Sequence, residues 1–143
     1  MIVKRKLIPV LLAMLLVISS TMAVSAIGND LDDEIIISPM FTYIFRAEAQ
    51  IYINSSGKAT AITDVLGYSN VTSIRAIVRL QQMRDEGWTT IRSWTETSNT
   101  RFLNFAGTYN VPKGYYYRVQ STVTCYSGSQ SETTTLTTSY QKY

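Results

Sequence analysis

The chain has 143 residues, with one cysteine and no histidine. A lone thiol cannot close an internal disulfide, and without histidine there is no imidazole for acid–base work or metal ligation. The formal charge of +3 belongs to Lys4, Arg5 and Lys6; without them ten basic residues face ten acidic ones, so net charge makes no case for nucleic acid or another polyanion.

Those three basic residues open a leader. Leu7 to Ile18 is an apolar run broken only by Pro9, and Val24-Ser25-Ala26 offers a small-residue cleavage site. Residues 1–26 therefore read as a secretory signal peptide, cleaved near Ala26, with membrane contact only in transit. Twelve residues span roughly 18 Å as a helix, short of a hydrocarbon core of about 30 Å. Extending the run to Val24 gives roughly 27 Å, which keeps a retained anchor as the alternative. No cysteine stands near residue 26 to accept a lipid.

Residues 27–40 form an acidic segment of low order, with Asp30, Asp32, Asp33 and Glu34 ahead of Ile35-Ile36-Ile37 and the backbone-restricting Ser38-Pro39. Residues 41–143 are expected to make one domain. After the docking segment Phe41–Phe45, Ala47 to Ile53 alternates as a strand. Asn54-Ser55-Ser56-Gly57 turns it back into Lys58 to Val65. Gly67 to Asn70 turns again, and Val71 to Gln82 sets Ile74, Ala76, Val78 and Leu80 against Arg75, Ile77, Arg79 and Gln81.

The polar turn Arg84–Gly87 leads to a strand from Trp88 to Thr97, whose weaker alternation groups Trp88, Thr90, Arg92 and Trp94 on one side. Phe102 to Tyr109 follows, then the turn Val111-Pro112-Lys113-Gly114. The longest alternation runs from Tyr115 to Tyr126, with Tyr117, Val119, Ser121, Val123 and Cys125 on the inward side. Ser127–Gln130 closes a hairpin into a threonine-rich last strand, Ser131 to Tyr140. Seven strands with regular turn signals predict an all-β, single antiparallel β-sandwich of immunoglobulin-like type, with a jelly roll or small barrel as the other architecture.

Several stretches carry a resemblance: Ser38-Pro39 with Thr42-Tyr43-Ile44, Gly67-Tyr68-Ser69, Trp88 with Ile91 and Trp94, Tyr117-Arg118-Val119, and Tyr126–Ser129 with Ser131-Glu132. On these the chain resembles a family of short, uncharacterised secreted proteins of Gram-positive bacteria. The resemblance implies export and a compact β fold, and assigns no site. The Tyr-x-Val step at Tyr117 resembles the sixth strand of fibronectin type III and immunoglobulin-like domains, where a tyrosine pins a corner.

The chemistry-bearing residues are sparse. Asp85 and Glu86 are adjacent in a turn and point apart, while Glu48, Asp64, Glu96 and Glu132 stand singly, so no carboxylate pair for glycoside hydrolysis forms in the sequence. Cys125 has no base to activate it and falls in register with Val119 and Val123, as a buried small residue would. Catalytic, cofactor and metal sites are therefore not expected, and the chain reads as a non-enzyme.

If the third and sixth strands are neighbours, their outward residues combine. The expected ligand face is Arg75, Arg79, Tyr116 and Arg118, with Arg92 and Trp94 from the next strand. Such a face suits a cell-envelope glycan or another protein. An inward Trp94 would cost it its strongest member. The alternative is a self-associating structural component that pairs through the uncharged edge Thr133–Thr138.

Overall fold

The computed structural model describes residues 40–143; the expected leader, and the acidic segment up to residue 39, lie outside the described residues. Eight strands follow in order: β1 (Ile44–Ile53), β2 (Lys58–Gly67), β3 (Ser73–Arg84), β4 (Gly87–Ser98), β5 (Phe102–Asn110), β6 (Tyr116–Ser127), β7 (Gln130–Thr137) and the short β8 (Gln141–Lys142). All pairings are antiparallel. They build two open sheets, β1-β2-β5 and β4-β3-β6-β7, with β8 paired to the start of β6.

This is the expected immunoglobulin-like sandwich and not a closed barrel. A constant-type immunoglobulin domain places its fourth strand beside the fifth. Here the two-residue turn Asp85-Glu86 lets β4 fold straight back on β3, so three strands face four, with β8 beside the start of β6.

Alternation made these strands, and the core is their inward half. Ile74, Ala76, Val78 and Leu80 from β3 meet Val119, Val123 and Cys125 from β6, all at most 1% exposed. Ala59, Ala61 and Val65 of β2 close it from the other sheet. Burying a branched side chain of this size stabilises the fold by about 1.5–3 kcal/mol each.

Two polar fastenings sit within the greasy layer. Tyr117 is fully buried at the start of β6, and its hydroxyl donates to the carbonyl of Pro112 at 2.7 Å. This is the corner tie that the Tyr-x-Val step implied. Burial, with Tyr115 close by, pushes the phenol's pKa up, so it stays a donor. Deeper in, Thr63 of β2 and Ser121 of β6 share a 2.6 Å hydroxyl–hydroxyl bond across the sandwich. Antibody domains carry their disulfide between the same two strands. Here the lone Cys125 is sealed in the core, its thiol pushed up to about 11 by burial and by the facing Glu132.

Glu132 also fastens the first strand. Its carboxylate accepts the backbone N–H groups of Thr42, Tyr43 and Ile44 at 2.9, 2.7 and 2.9 Å. Partial burial acts to raise its pKa, but the three donors outweigh that and hold it below its ordinary value.

Two stability outcomes follow. Ser121→Ala leaves the buried Thr63 hydroxyl without its partner and should cost about 1–3 kcal/mol in denaturant unfolding, whereas Thr63→Val with Ser121→Ala should recover most of it. Because folding lowers the Glu132 pKa, its contribution is present at neutral pH and is lost as pH falls from about 4.3 through the lower folded value. Glu132→Gln should therefore lower the melting temperature at pH 7, and the gap to the parent should close on acidification.

Candidate functional site

The outward half of the larger sheet is where chemistry-bearing side chains gather. Its cations are Arg75 and Arg79 on β3, Arg118 on β6 and Lys142 on β8. Among the described residues no carboxylate stands at an outward position of this sheet. Glu96 pairs with Ala76 and Glu132 with Cys125, so both belong to the inward register; Asp85 and Glu86 occupy the β3–β4 turn at the rim.

At the turn end of this face, Met83, Trp88, Tyr116 and Tyr140 line an open recess of about 350 Å³. Tyr116 and Tyr140 meet edge to face at 5.3 Å, and Trp88 lies 6.3 Å from Tyr140. The Arg118 guanidinium sits 4.3 Å from the centroid of the Trp88 ring. Its Nε donates to Gln81 Oε1 at 2.8 Å, and Gln81 in turn donates to Thr90 Oγ1 at 3.4 Å. Stacking and this hydrogen bond hold the fork in one orientation and leave its two Nη groups for a ligand. The ammonium of Lys142 lies over the Tyr116 ring, 5.5 Å from its centroid.

Two register slips assemble the recess. Along β3 and β4 the pairing runs from Ile74↔Ser98 to Leu80↔Arg92, then jumps to Gln81↔Thr90, so Ile91 is an extra residue. The slip sets Trp88 opposite outward Met83; unbroken pairing would set it opposite Arg84 and turn it inward. The last strand repeats the device. Thr137 pairs with Gln120, but Gln141 pairs with Tyr117, so three residues on one side oppose two on the other. Thr138 supports this irregularity: its Oγ1 accepts the Val119 N–H at 3.0 Å and its own N–H donates to the Val119 carbonyl at 2.9 Å. Tyr140 and Lys142 thereby come to the outer side. The expected single strand Ser131 to Tyr140 is broken for this reason.

The expected face is thus only partly assembled. Arg75, Arg79, Tyr116 and Arg118 share the outer surface, and Arg79 Nη1 donates to Thr122 Oγ1 at 3.3 Å. Arg92 and Trp94 do not join them. They pair with Leu80 and Val78, whose side chains point into the sandwich. Trp94 packs on Phe105 of β5 at 5.9 Å, and Arg92 lies over the Trp94 and Tyr109 rings at 5.7 and 5.9 Å, covering the gap between β4 and β5. Gly107 makes room for this indole, since a Cβ there would fall 2.7 Å from Trp94 Cε2. Sequence reasoning grouped Trp88 with Trp94 because they are six residues apart; the Ile91 slip separates them.

Met83, Trp88 and Tyr140 are the members that sequence reasoning missed. The available signal was weak: β-branched Ile91 interrupts a polar-rich strand, and Ser139-Tyr140 follows a run of threonines. Among the described residues no group of three or more His, Cys, Asp or Glu side chains gathers to hold a metal ion. No protein-family model and no curated protein matches this chain.

The two tryptophans should behave differently. Trp94→Ala opens a void between the sheets and should cost about 2–4 kcal/mol in urea unfolding, while Trp88→Ala should change stability by less than about 1 kcal/mol. With Trp94 replaced by Phe, the remaining emission should be readily quenched by acrylamide; with Trp88 replaced by Phe, it should be shielded.

Proposed function

We propose that this is an exported, non-enzymatic interaction module of the cell surface or extracellular space, and that its ligand face is the outer surface of the β4-β3-β6 sheet around the Trp88 recess. Export rests on the basic, apolar and small-residue order of residues 1–26 and on the resemblance to secreted Gram-positive proteins. The observation that carries the binding reading is Arg118, stacked on Trp88 and tied through Nε to Gln81 at the mouth of an aromatic recess. A guanidinium held this way has lost its side-chain freedom before any ligand arrives, which lowers the ordering cost of binding. Open aromatic surface beside it supplies contact area. Cell-envelope polymers or an envelope protein are the partners such a surface fits.

A second reading is self-association through β7, which lies at the edge of the larger sheet with uncharged Thr133–Thr137 along it. Glu132 stands against it. Its inward carboxylate draws residues 42–44 across the start of that strand, and an inward charge is a common device for blunting sheet edges.

Co-sedimentation with purified Gram-positive wall material tests the module reading. The parent protein should be retained, and Trp88→Ala and Arg118→Gln should each reduce retention about tenfold, roughly 1.4 kcal/mol, with an unchanged melting temperature. Retention that is equal in all three proteins removes the recess as the ligand site.

A further inference from the structure

Granting the recess as the ligand site, the outer face says more about what is held there. Three features need a common explanation: the aromatic rings cluster at one end, with Tyr126 alone at the other, the cations run between, and the main chain is unavailable.

The rings first. Met83, Trp88, Tyr116 and Tyr140 form one recess at the turn end, and among the described residues the only further outward ring along the β3–β6 seam is Tyr126, alone opposite Ser73 at the far end. Single-stranded nucleic acid is bound on successive stacking platforms. One recess holds one ring system. Its open aromatic surfaces suit the apolar face of a sugar, which also offers hydroxyls to the side chains around it.

The cations next. Beyond Arg118, Arg79 lies one step along the seam, diagonal to it across the Gln81↔Arg118 and Arg79↔Gln120 pairs. Arg75 lies four residues further, roughly 13 Å at strand rise. From Met83 to Arg75 the seam is eight residues, or roughly 26 Å. Threonines flank this track: Thr95 and Thr97 on β4, Thr122 and Thr124 on β6, and Thr133 and Thr135 on β7. Hydroxyls of Thr124 and Thr133 bond each other at 2.9 Å, and Ile77, outward between Arg79 and Arg75, is the apolar residue within this mostly polar track. No outward carboxylate among the described residues opposes an anion along it.

The main chain last. β3 is paired on both sides, to β4 and β6, and β6 is paired to β3 and to β7 and β8. Their N–H and C=O groups are consumed by these ladders. A peptide that binds by adding a strand needs a free edge, which this seam is not. Side chains alone do the recognising. That favours a polymer whose rings and charges both lie on its own periphery.

We propose that the ligand is an acidic polysaccharide, a chain of sugar rings bearing carboxylates. One ring seats on Trp88, Tyr116 and Tyr140. The adjoining carboxylate pairs with the Arg118 fork, and the chain runs along the seam past Arg79 to Arg75. A polyol phosphate chain would satisfy the arginines but would have no ring for the recess.

The test is a length series of oligogalacturonates, from dimer to octamer, titrated into the purified protein at low salt with Trp88 fluorescence and calorimetry as readouts. Maltooligosaccharides serve as neutral controls, with poly-dT and polyglutamate as the competing polyanions. The octamer should bind at least about tenfold more tightly than the dimer and weaken with added salt. Trp88→Ala and Arg118→Gln should each weaken every length about tenfold. Arg75→Gln should leave the dimer unchanged and weaken the octamer about threefold or more. Trp88→Phe, which keeps a ring, should retain most of the binding by calorimetry and so separates loss of stacking from any loss of fold.

Equal affinity for dimer and octamer, or an Arg75→Gln effect on the dimer, overturns the path along the seam. Equal binding of maltooligosaccharides overturns the acidic ligand, and tighter binding of poly-dT or polyglutamate overturns the glycan. Failure of every oligogalacturonate, in a protein that wall material retains through Trp88, overturns this inference and leaves the module reading standing.

Discussion

A β-strand can show its side chains to only two sides, and which side is decided by a count of one. In this domain the count is kept along the core-bearing stretches of β3 and β6; of its three breaks, one lies at Phe45 between β1 and β2 and two lie in the larger sheet. The unbroken stretches of β3 and β6 carry the core: Ile74 to Leu80 on one strand, Tyr117 to Cys125 on the other. The extra residue at Ile91, and the extra residue between Thr137 and Gln141, fall toward one end of the same sheet. Each turns an aromatic side chain outward that regular pairing would have buried. The recess exists because these two slips coincide in space.

Interior fastening gives that recess a firm floor. Tyr117 ties the start of β6 to the preceding turn, and its neighbour Tyr116 is the residue that faces the recess. The Thr63–Ser121 bond crosses the sandwich four residues further along the same strand. A chain with one cysteine has no covalent bridge between these strands, so their relative position rests on close packing and on a few satisfied polar groups. Trp94 belongs to this interior economy. It fills the gap between β4 and β5 that Gly107 leaves, while Arg92 covers the opening with its stem and its charge.

The arginines divide by task along the same lines. Arg92 shields an aromatic edge of the sandwich. Arg101, 4.6 Å from the Phe102 ring, holds a loop through the carbonyl of Gly67. Arg118 is stacked and bonded at the recess, with Arg79 and Arg75 beyond it on a surface free of outward carboxylates among the described residues. Identical side chains thus do packing, tethering or ligand-facing work according to the register of the strand that carries them. The balance of charge outside Lys4, Arg5 and Lys6 conceals this, because sheet geometry sorts the signs by side.

The sequence by itself determined the fold class, the strand boundaries to within a few residues, and the inward half of the core, because period-2 burial is a local property written in consecutive residues. Ser121 and Cys125 were legible as interior for that reason, and Tyr117 as a corner from its place before Val119. Glu132 was not legible as the clamp on Thr42–Ile44, since its partners are backbone groups some ninety residues away. Nor was the opposite facing of Trp88 and Trp94, or the outward turn of Tyr140. A bulge is a property of two paired strands, and nothing within one strand states how many residues its neighbour will oppose to it. Only the tertiary pairing decided that, and with it which rings and which arginines share a surface.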